Sequence, residues 1–212
     1  MKTFLPLSLI VILLSFCASS SRQGTPGDWI NLFDGKSFSG WKVGKNPETF
    51  KIENGAIVVN GLVAHLFYEG KVKDHNFKNF EFKTQVMTTP GSNSGIYFHT
   101  QFQEEGFPSI GHEVQVNNSH TDWRRTGSLY SVKDVKDVVV KDNEWYTEHI
   151  IVKGNNVTIK INDKTVVEYT EPADLAAKGP GRRISSGTFA LQGHDPKSKV
   201  FFKDIMVKVL PD

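Results

Sequence analysis

The sequence predicts an all-β sandwich of two antiparallel sheets, and three observations carry that prediction. Apolar and polar residues alternate with a period of two through most of the chain, as they do in strands with one buried face. Gly- and Asn-rich turn signals separate the alternating runs at short intervals, which is the spacing of sandwiches and jelly rolls. Helix-period segments are nearly missing: the best candidate is Asp174 to Lys178, one or two turns closed by Gly179.

The strands can be justified in chain order. Phe50 and Ile52, then Ile57 and Val59, flank Asn54-Gly55, a pair that tolerates positive φ and predicts a tight hairpin. Phe80-Glu81-Phe82-Lys83-Thr84-Gln85-Val86 alternates without a break. Gly91-Ser92-Asn93-Ser94-Gly95 reads as a tight turn feeding the strand of Ile96 and Phe98. Val114 and Val116 mark the next strand. Ile150 to Lys153 then faces Val157 to Ile161 across Gly154-Asn155-Asn156 as a second hairpin. Phe189 and Leu191 mark one more strand, and Val200 to Leu210 is the last. In all there are about a dozen strand candidates. Parity assigns Phe82, Ile96, Phe98, Val114, Val116, Leu129, Phe189 and Leu191 to the core between the sheets.

Charge and composition narrow the function classes. The 212 residues hold 25 Lys and Arg against 23 Asp and Glu, a formal net charge of +2. That balance leaves no basic footprint for nucleic acid. With 15 Phe, 5 Tyr and 4 Trp, the chain has the material for a large core and is not disordered. The N-terminus reads as a leader. Lys2 precedes the apolar run Leu5 to Leu14, which is too short for a membrane span. Cys17, the one cysteine of the chain, follows that run as the Cys of a bacterial lipobox would. Phe16 stands where a small residue is usual, and plain secretion with cleavage near Ala18 to Ser20 is the alternative. The expected organisation is a signal peptide over 1–17, a Ser-, Gly- and Pro-rich tether over 18–28 and one domain over 29–212. The expected place is outside the cytoplasm, in the periplasm or cell envelope. Membrane contact is then through a lipid on Cys17 alone, anchored to the outer membrane. The mature domain has no cysteine, so disulfides, a thiol nucleophile and thiolate metal ligands are excluded from it.

The same parity that defines the core defines a second face. With Val114 and Val116 inward, Glu113 and Gln115 point outward. Ile96 and Phe98 inward place Tyr97, His99 and Gln101 outward; Leu129 inward places Ser128 and Tyr130 outward. Phe189 and Leu191 inward place Thr188, Gln192 and His194 outward. A face rich in Tyr, His, Gln and Glu, with few Lys, suits carbohydrate: aromatic rings stack on sugars, and amides share hydrogen bonds with hydroxyls. An ordinary amphipathic sheet is the plainer explanation.

Several chemistries are excluded by pattern. Gly91-Ser92-Asn93-Ser94-Gly95 puts Asn where a nucleophile elbow needs Ser. There is no phosphate loop and no His-Glu-x-x-His, and the seven histidines are dispersed. No cofactor motif is evident, no metal ligands are assigned, and a requirement for a divalent metal is left open. The sequons Asn117-Asn118-Ser119 and Asn156-Val157-Thr158 are incidental behind a bacterial leader. Retaining glycosidases need two carboxylates about 5 Å apart. The strand Glu113-Val114-Gln115-Val116-Asn117 supplies one acid followed by an amide, so it does not provide that pair. Glu113 is either an acid–base residue, an anchor for hydroxyls, or a partner of Arg124 or Arg125.

Six ordered motifs carry a family resemblance. Trp29-Ile30-Asn31-Leu32-Phe33-Asp34-Gly35 with Gly40-Trp41 resembles the opening of the 3-keto-disaccharide hydrolase family. Asn93 to Phe98 resembles its central turn and strand, and Gly111-His112-Glu113-Val114-Gln115-Val116 its glutamate segment. Thr126-Gly127-Ser128-Leu129-Tyr130, Leu191-Gln192-Gly193-His194-Asp195 and Phe202-Lys203-Asp204-Ile205 follow in order. His99, where many members carry Arg, and His112, where an aromatic is usual, depart from the pattern. The resemblance implies a concanavalin-like jelly roll and action on glycosides already oxidised to a ketone at C3. Such a ketone acidifies the C2 proton, so a base can eliminate the C1 substituent before water adds back, a net hydrolysis. On that implication Glu113 or His194 is the base. Gln115, Gln192 and Arg124 are candidates to hold the ketone oxygen, and Tyr130 to assist the leaving group. Tyr97 and His99 would contact the sugar. A non-catalytic, lectin-like surface module is the competing reading and a conventional endoglucanase the third.

If Cys17 is lipidated, Cys17→Ala should move the protein from the membrane fraction to the soluble one. Fractionation of cells expressing both forms checks this; a variant that still sediments with membranes contradicts it.

Overall fold

A computed structural model describes residues 27–175 and 182–212. Cys17, the tether as far as 26, and most of the helix expected at 174–178 lie outside the described residues. Within them the chain forms thirteen strands. In order these are β1 (Trp29–Asn31), β2 (Trp41–Val43), β3 (Phe50–Glu53), β4 (Ala56–Val59), β5 (Ala64–Tyr68), β6 (Phe80–Thr88) and β7 (Ser94–Thr100). They continue as β8 (His112–Val116), β9 (Tyr146–Lys153), β10 (Asn156–Ile161), β11 (Lys164–Thr170), β12 (Thr188–Gly193) and β13 (Val200–Val209). The larger sheet runs β11-β10-β9-β6-β13-β4-β3, with β1 also on β13; the smaller runs β2-β5-β12-β7-β8. All pairings are antiparallel. The all-β, two-sheet jelly roll is thus the fold.

Both expected hairpins form. Asn54 and Gly55, at φ 50 and 79, turn β3 into β4 with Glu53 opposite Ala56, the two-residue geometry that matches strand twist. Gly154 at φ 59 turns β9 into β10 with Lys153 opposite Asn156. A bulge in β13 does more. Its register slips between Lys203 and Met206, where Asp204 takes φ 51. Before the slip Phe202 points inward, and after it Ile205 and Val207 do, so the extra residue keeps the apolar side facing the core. The bend also lets one strand pair with β4 through Val200–Phe202 and with β1 through Met206–Lys208.

All eight residues assigned to the core by parity are 0% exposed and belong to one continuous apolar cluster between the sheets. Its centre is aromatic: Phe189 lies 4.6 Å from Phe77, 4.8 Å from Phe80 and 4.6 Å from Phe82, centroid to centroid. Such contacts add specificity to the area they bury.

One outward placement is overturned. His99 does not share a face with Tyr97. It sits at φ 54, where the β7–β12 register slips between Thr188 and Ala190. That bulge turns the ring away from Tyr97's face: it meets Phe80 at 5.6 Å and Phe98 at 5.2 Å, and its Nε2 pairs with the Lys78 carbonyl at 3.0 Å. Burial pushes its pKa down to about 4, so it is a neutral structural imidazole.

A carboxyl group also enters the core. Glu148 on β9 is fully buried, opposite Thr84 of β6 and Ile161 of β10, and neither of its oxygens has a hydrogen-bond partner among the described residues. Burial holds its pKa well above the ordinary 4.5. A carboxyl raised in the folded state stabilises the fold below 4.5 and loses that contribution as pH rises toward the folded value. Glu148→Gln should therefore gain on the wild type as pH rises above 4.5, a trend that denaturation midpoints at about pH 4 and about pH 8 will show. A constant difference at both would contradict it.

Candidate functional site

The outer face of the smaller sheet brings four strands into register. One row holds Phe67, Ala190, Tyr97 and Glu113, each opposite the next. In the neighbouring row His65 stands opposite Gln192 and Gly95 opposite Gln115. Leu191 pairs with Ile96, so Gln192 is level with Gly95. Polar side chains from β5, β7, β8 and β12 therefore meet on one surface because their odd and even positions coincide there.

Glu113 is the centre of this arrangement. It is 6% exposed, and its carboxylate accepts a hydrogen bond from the Tyr97 hydroxyl at 2.8 Å and from the Gln192 amide at 2.9 Å. The same amide nitrogen lies 3.2 Å from the Tyr97 oxygen. Burial raises the Glu113 pKa, opposed by the Tyr97 bond, the Arg182 charge and the Gln192 bond. Tyr97 is driven up as well, by burial and by the neighbouring carboxylate, and keeps its proton. Gly95 makes the cluster possible, because any Cβ there would collide with the Glu113 side chain.

A second pair stands beside the first. The Nδ1 of His194 lies 2.8 Å from Asp195 Oδ2. Asp195 also accepts bonds from the Ser198 hydroxyl at 2.7 Å and the Lys197 N–H at 2.8 Å. Burial raises the Asp195 carboxyl, but the bonds from His194, Ser198 and Lys197 outweigh it and bring it to about 2. An ionised Asp195 makes Nδ1 the donor and leaves Nε2 of His194 as an acceptor. The His120 ring lies 5.7 Å from His194. Its Nδ1 accepts the Asp122 N–H at 3.1 Å and faces the Asn93 amide at 3.3 Å, so its proton is on Nε2. His65 is 5.3 Å from the Tyr97 ring. Burial pushes His65 down to about 3, so it is neutral.

Three buried acceptor-capable atoms here have no partner among the described residues: Oε1 of Gln115, Oε1 of Gln192 and Nε2 of His65. Buried polar atoms are nearly always hydrogen-bonded in native proteins, and a cluster of lone pairs suits a ligand rich in hydroxyl donors.

Of the residues expected at the site, Tyr97, Glu113 and Gln192 are joined directly. Gln115 donates to Asn93 Oδ1 at 2.8 Å, whose own amide faces His120, and His194 stands beside His120. Arg124 and Tyr130 form a separate group. The Arg124 guanidinium is bound by Asp134 at 3.3 Å and Asp122 at 3.5 Å and lies 4.7 Å over the Tyr130 ring. Tyr130 touches Glu113 through the backbone, its N–H donating to the Glu113 carbonyl at 2.9 Å. Sequence parity missed His65, His120, Asn93, Asp195, Gly95 and Arg182. The Arg182 guanidinium sits 5.5 Å over the Tyr97 ring and donates to the Gly111 carbonyl at 3.0 Å. Among the described residues no group of three or more His, Cys, Asp or Glu side chains is placed to hold a metal ion.

Comparisons with known proteins bear on the family and the fold. The sequence profile of the 3-keto-alpha-glucoside-1,2-lyase-like domain matches residues 28–208. The chain is 30% identical to a 3-keto-disaccharide hydrolase of Bacteroides thetaiotaomicron, over 86% of this chain and 78% of the relative. The fold matches a candidate glycosyl hydrolase of Parabacteroides distasonis with a TM-score of 0.72, at 25% identity, over 86% of this chain and 94% of that one. An endo-β-1,3(4)-glucanase of glycoside hydrolase family 16 shares the fold at TM-score 0.57 and 11% identity, over 87% of this chain and 92% of the other.

Gly95→Ala should fold, because Gly95 lies inside β7 without a positive φ, and should push Glu113 off Gln192. A crystal structure of the variant checks this: Glu113 still bonded to both Tyr97 and Gln192 would show that the bare glycine is not needed.

Proposed function

The chain belongs to the 3-keto-alpha-glucoside-1,2-lyase-like family, and from that premise we propose that it cleaves 3-keto-glycosides by elimination across C1 and C2 followed by hydration. The observation that carries the proposal is the pairing, on one face, of a buried carboxyl group with an Asp-oriented imidazole. His194 is the base. Asp195 holds its Nδ1–H, so Nε2 takes the C2 proton and the electron pair moves into the enolate of the C3 ketone. His120 offers its Nε2–H to the oxygen that gains the charge, as a preorganised donor. Glu113, whose proton burial favours, supplies it to the C1 oxygen as that bond breaks, with Tyr97 and Gln192 fixing the carboxyl. Water then adds across the C1–C2 double bond, giving the two sugars.

A two-carboxylate glycosidase mechanism has less support, since Glu113 shares its face of β8 with Gln115 and the nearby Asp195 is committed to His194 and Ser198. Export, with Cys17 as the anchor, belongs to the same proposal: an enzyme outside the cytoplasm would act on glycans before uptake.

A 3-keto glucoside deuterated at C2 tests the assignment. Wild type should release the label to water along with the leaving group. His194→Asn should suppress both by about 10²–10⁴-fold. Glu113→Gln should slow cleavage by a similar factor while label still washes out, because proton removal precedes loss of the leaving group. Cleavage with the C2 label retained would overturn the elimination; washout in His194→Asn at the wild-type rate would move the base elsewhere.

A further inference from the structure

The loop between β7 and β8, residues 101–111, folds back across the outer face of the smaller sheet. Phe102 at its start packs on Phe67 with ring centroids 5.4 Å apart. Further along, the Phe107 ring stands 5.7 Å from His65 and 6.0 Å from His194. The loop is built to hold that ring in place. The Gln103 amide donates to the Glu105 carbonyl at 2.7 Å and to the Phe107 carbonyl at 2.9 Å, and its oxygen accepts the Ser109 N–H at 3.1 Å. Lys45, just beyond β2, secures it from the side, with its N–H on the Glu104 carbonyl at 2.8 Å and its ammonium on Glu105 at 2.7 Å.

Phe107 is nonetheless 48% exposed, while His65 beside it and Tyr97, Glu113, Gln115 and Gln192 on the same sheet face are between 1% and 6% exposed. A large apolar ring left half in water by a loop with its own internal bracing is not serving the core. Its neighbours are the proposed base and a neutral histidine. The C–H face of a pyranose is apolar and flat enough to lie on an aromatic ring, and burying both removes apolar surface from water.

Resting on the function proposed above, we propose that Phe107 is the stacking residue for the sugar ring that loses its C2 proton, and so sets which glycosides are bound. It takes no part in proton transfer; its effect is on binding, common to the ground and transition states.

The test compares Phe107→Ala, Phe107→Leu and Phe107→Trp with Ile110→Ala, which alters an exposed residue of the same loop that lines a separate recess. On a 3-keto glucoside, Phe107→Ala and Phe107→Leu should raise KM by about tenfold with kcat little changed. Phe107→Trp should restore KM, and Ile110→Ala should match wild type. An unchanged KM in Phe107→Ala, or a Leu variant as good as wild type, overturns the proposal; the latter would mean that mere apolar cover suffices. If wild type cleaves no 3-keto glycoside, the function proposed above has failed. Calorimetric titration of methyl glucoside into wild type and Phe107→Ala then decides this inference alone: weaker binding to the variant supports it, and equal binding overturns it.

Discussion

Taking the Glu113 carboxyl out of water sets the terms for everything around it. An isolated buried carboxylate costs several kcal/mol unless it is hydrogen-bonded, and here the bonds come from Tyr97 on β7 and Gln192 on β12. Three adjacent strands are thereby tied at one point by side chains as well as by backbone. The bare backbone at Gly95 follows from the same need, since the carboxyl occupies the space a side chain would take. The site is a demand on the small sheet's register, and a one-residue slip of any strand would dismantle it.

Two buried glutamates show how far environment decides chemistry. Glu113 and Glu148 are both hidden from solvent, and burial raises both. Glu113 lies among donors and opposing charges that partly restore its acidity. Glu148 lies inside the sandwich with no hydrogen-bond partner among the described residues, and burial alone raises it. The first can exchange a proton with something that enters the face; the second can only resist ionisation.

Much of this was legible in the sequence, for physical reasons that also mark where legibility stops. Alternation has period two, so the core positions and the outward Tyr97, Glu113, Gln115 and Gln192 could be sorted without knowing strand order. Asn54-Gly55 names its own turn. Parity fails at a bulge, and His99, read outward, turned inward because one left-handed residue shifted the count. Arg124 and Tyr130 come from irregular chain beyond β8, where Asp122 and Asp134 capture the guanidinium; no period foretells such a contact. His65 was hidden for another reason. In Ala64-His65-Leu66-Phe67-Tyr68 apolar residues fall on both parities, so alternation does not say which face His65 joins. Gly95 was read as part of a turn, and its value depends on the Glu113 side chain of the next strand reaching over it.

The pairing of β1 with the far end of β13 has a mechanical meaning. It places the first described strand in the larger sheet, while His194 and Glu113 face outward from the smaller one. Any tension on the chain ahead of Trp29 therefore loads the β1–β13 hydrogen bonds in the layer remote from the chemistry. The sandwich core lies between β1 and the candidate site. A force applied at that end would thus be borne by the larger sheet, with the candidate site on the other.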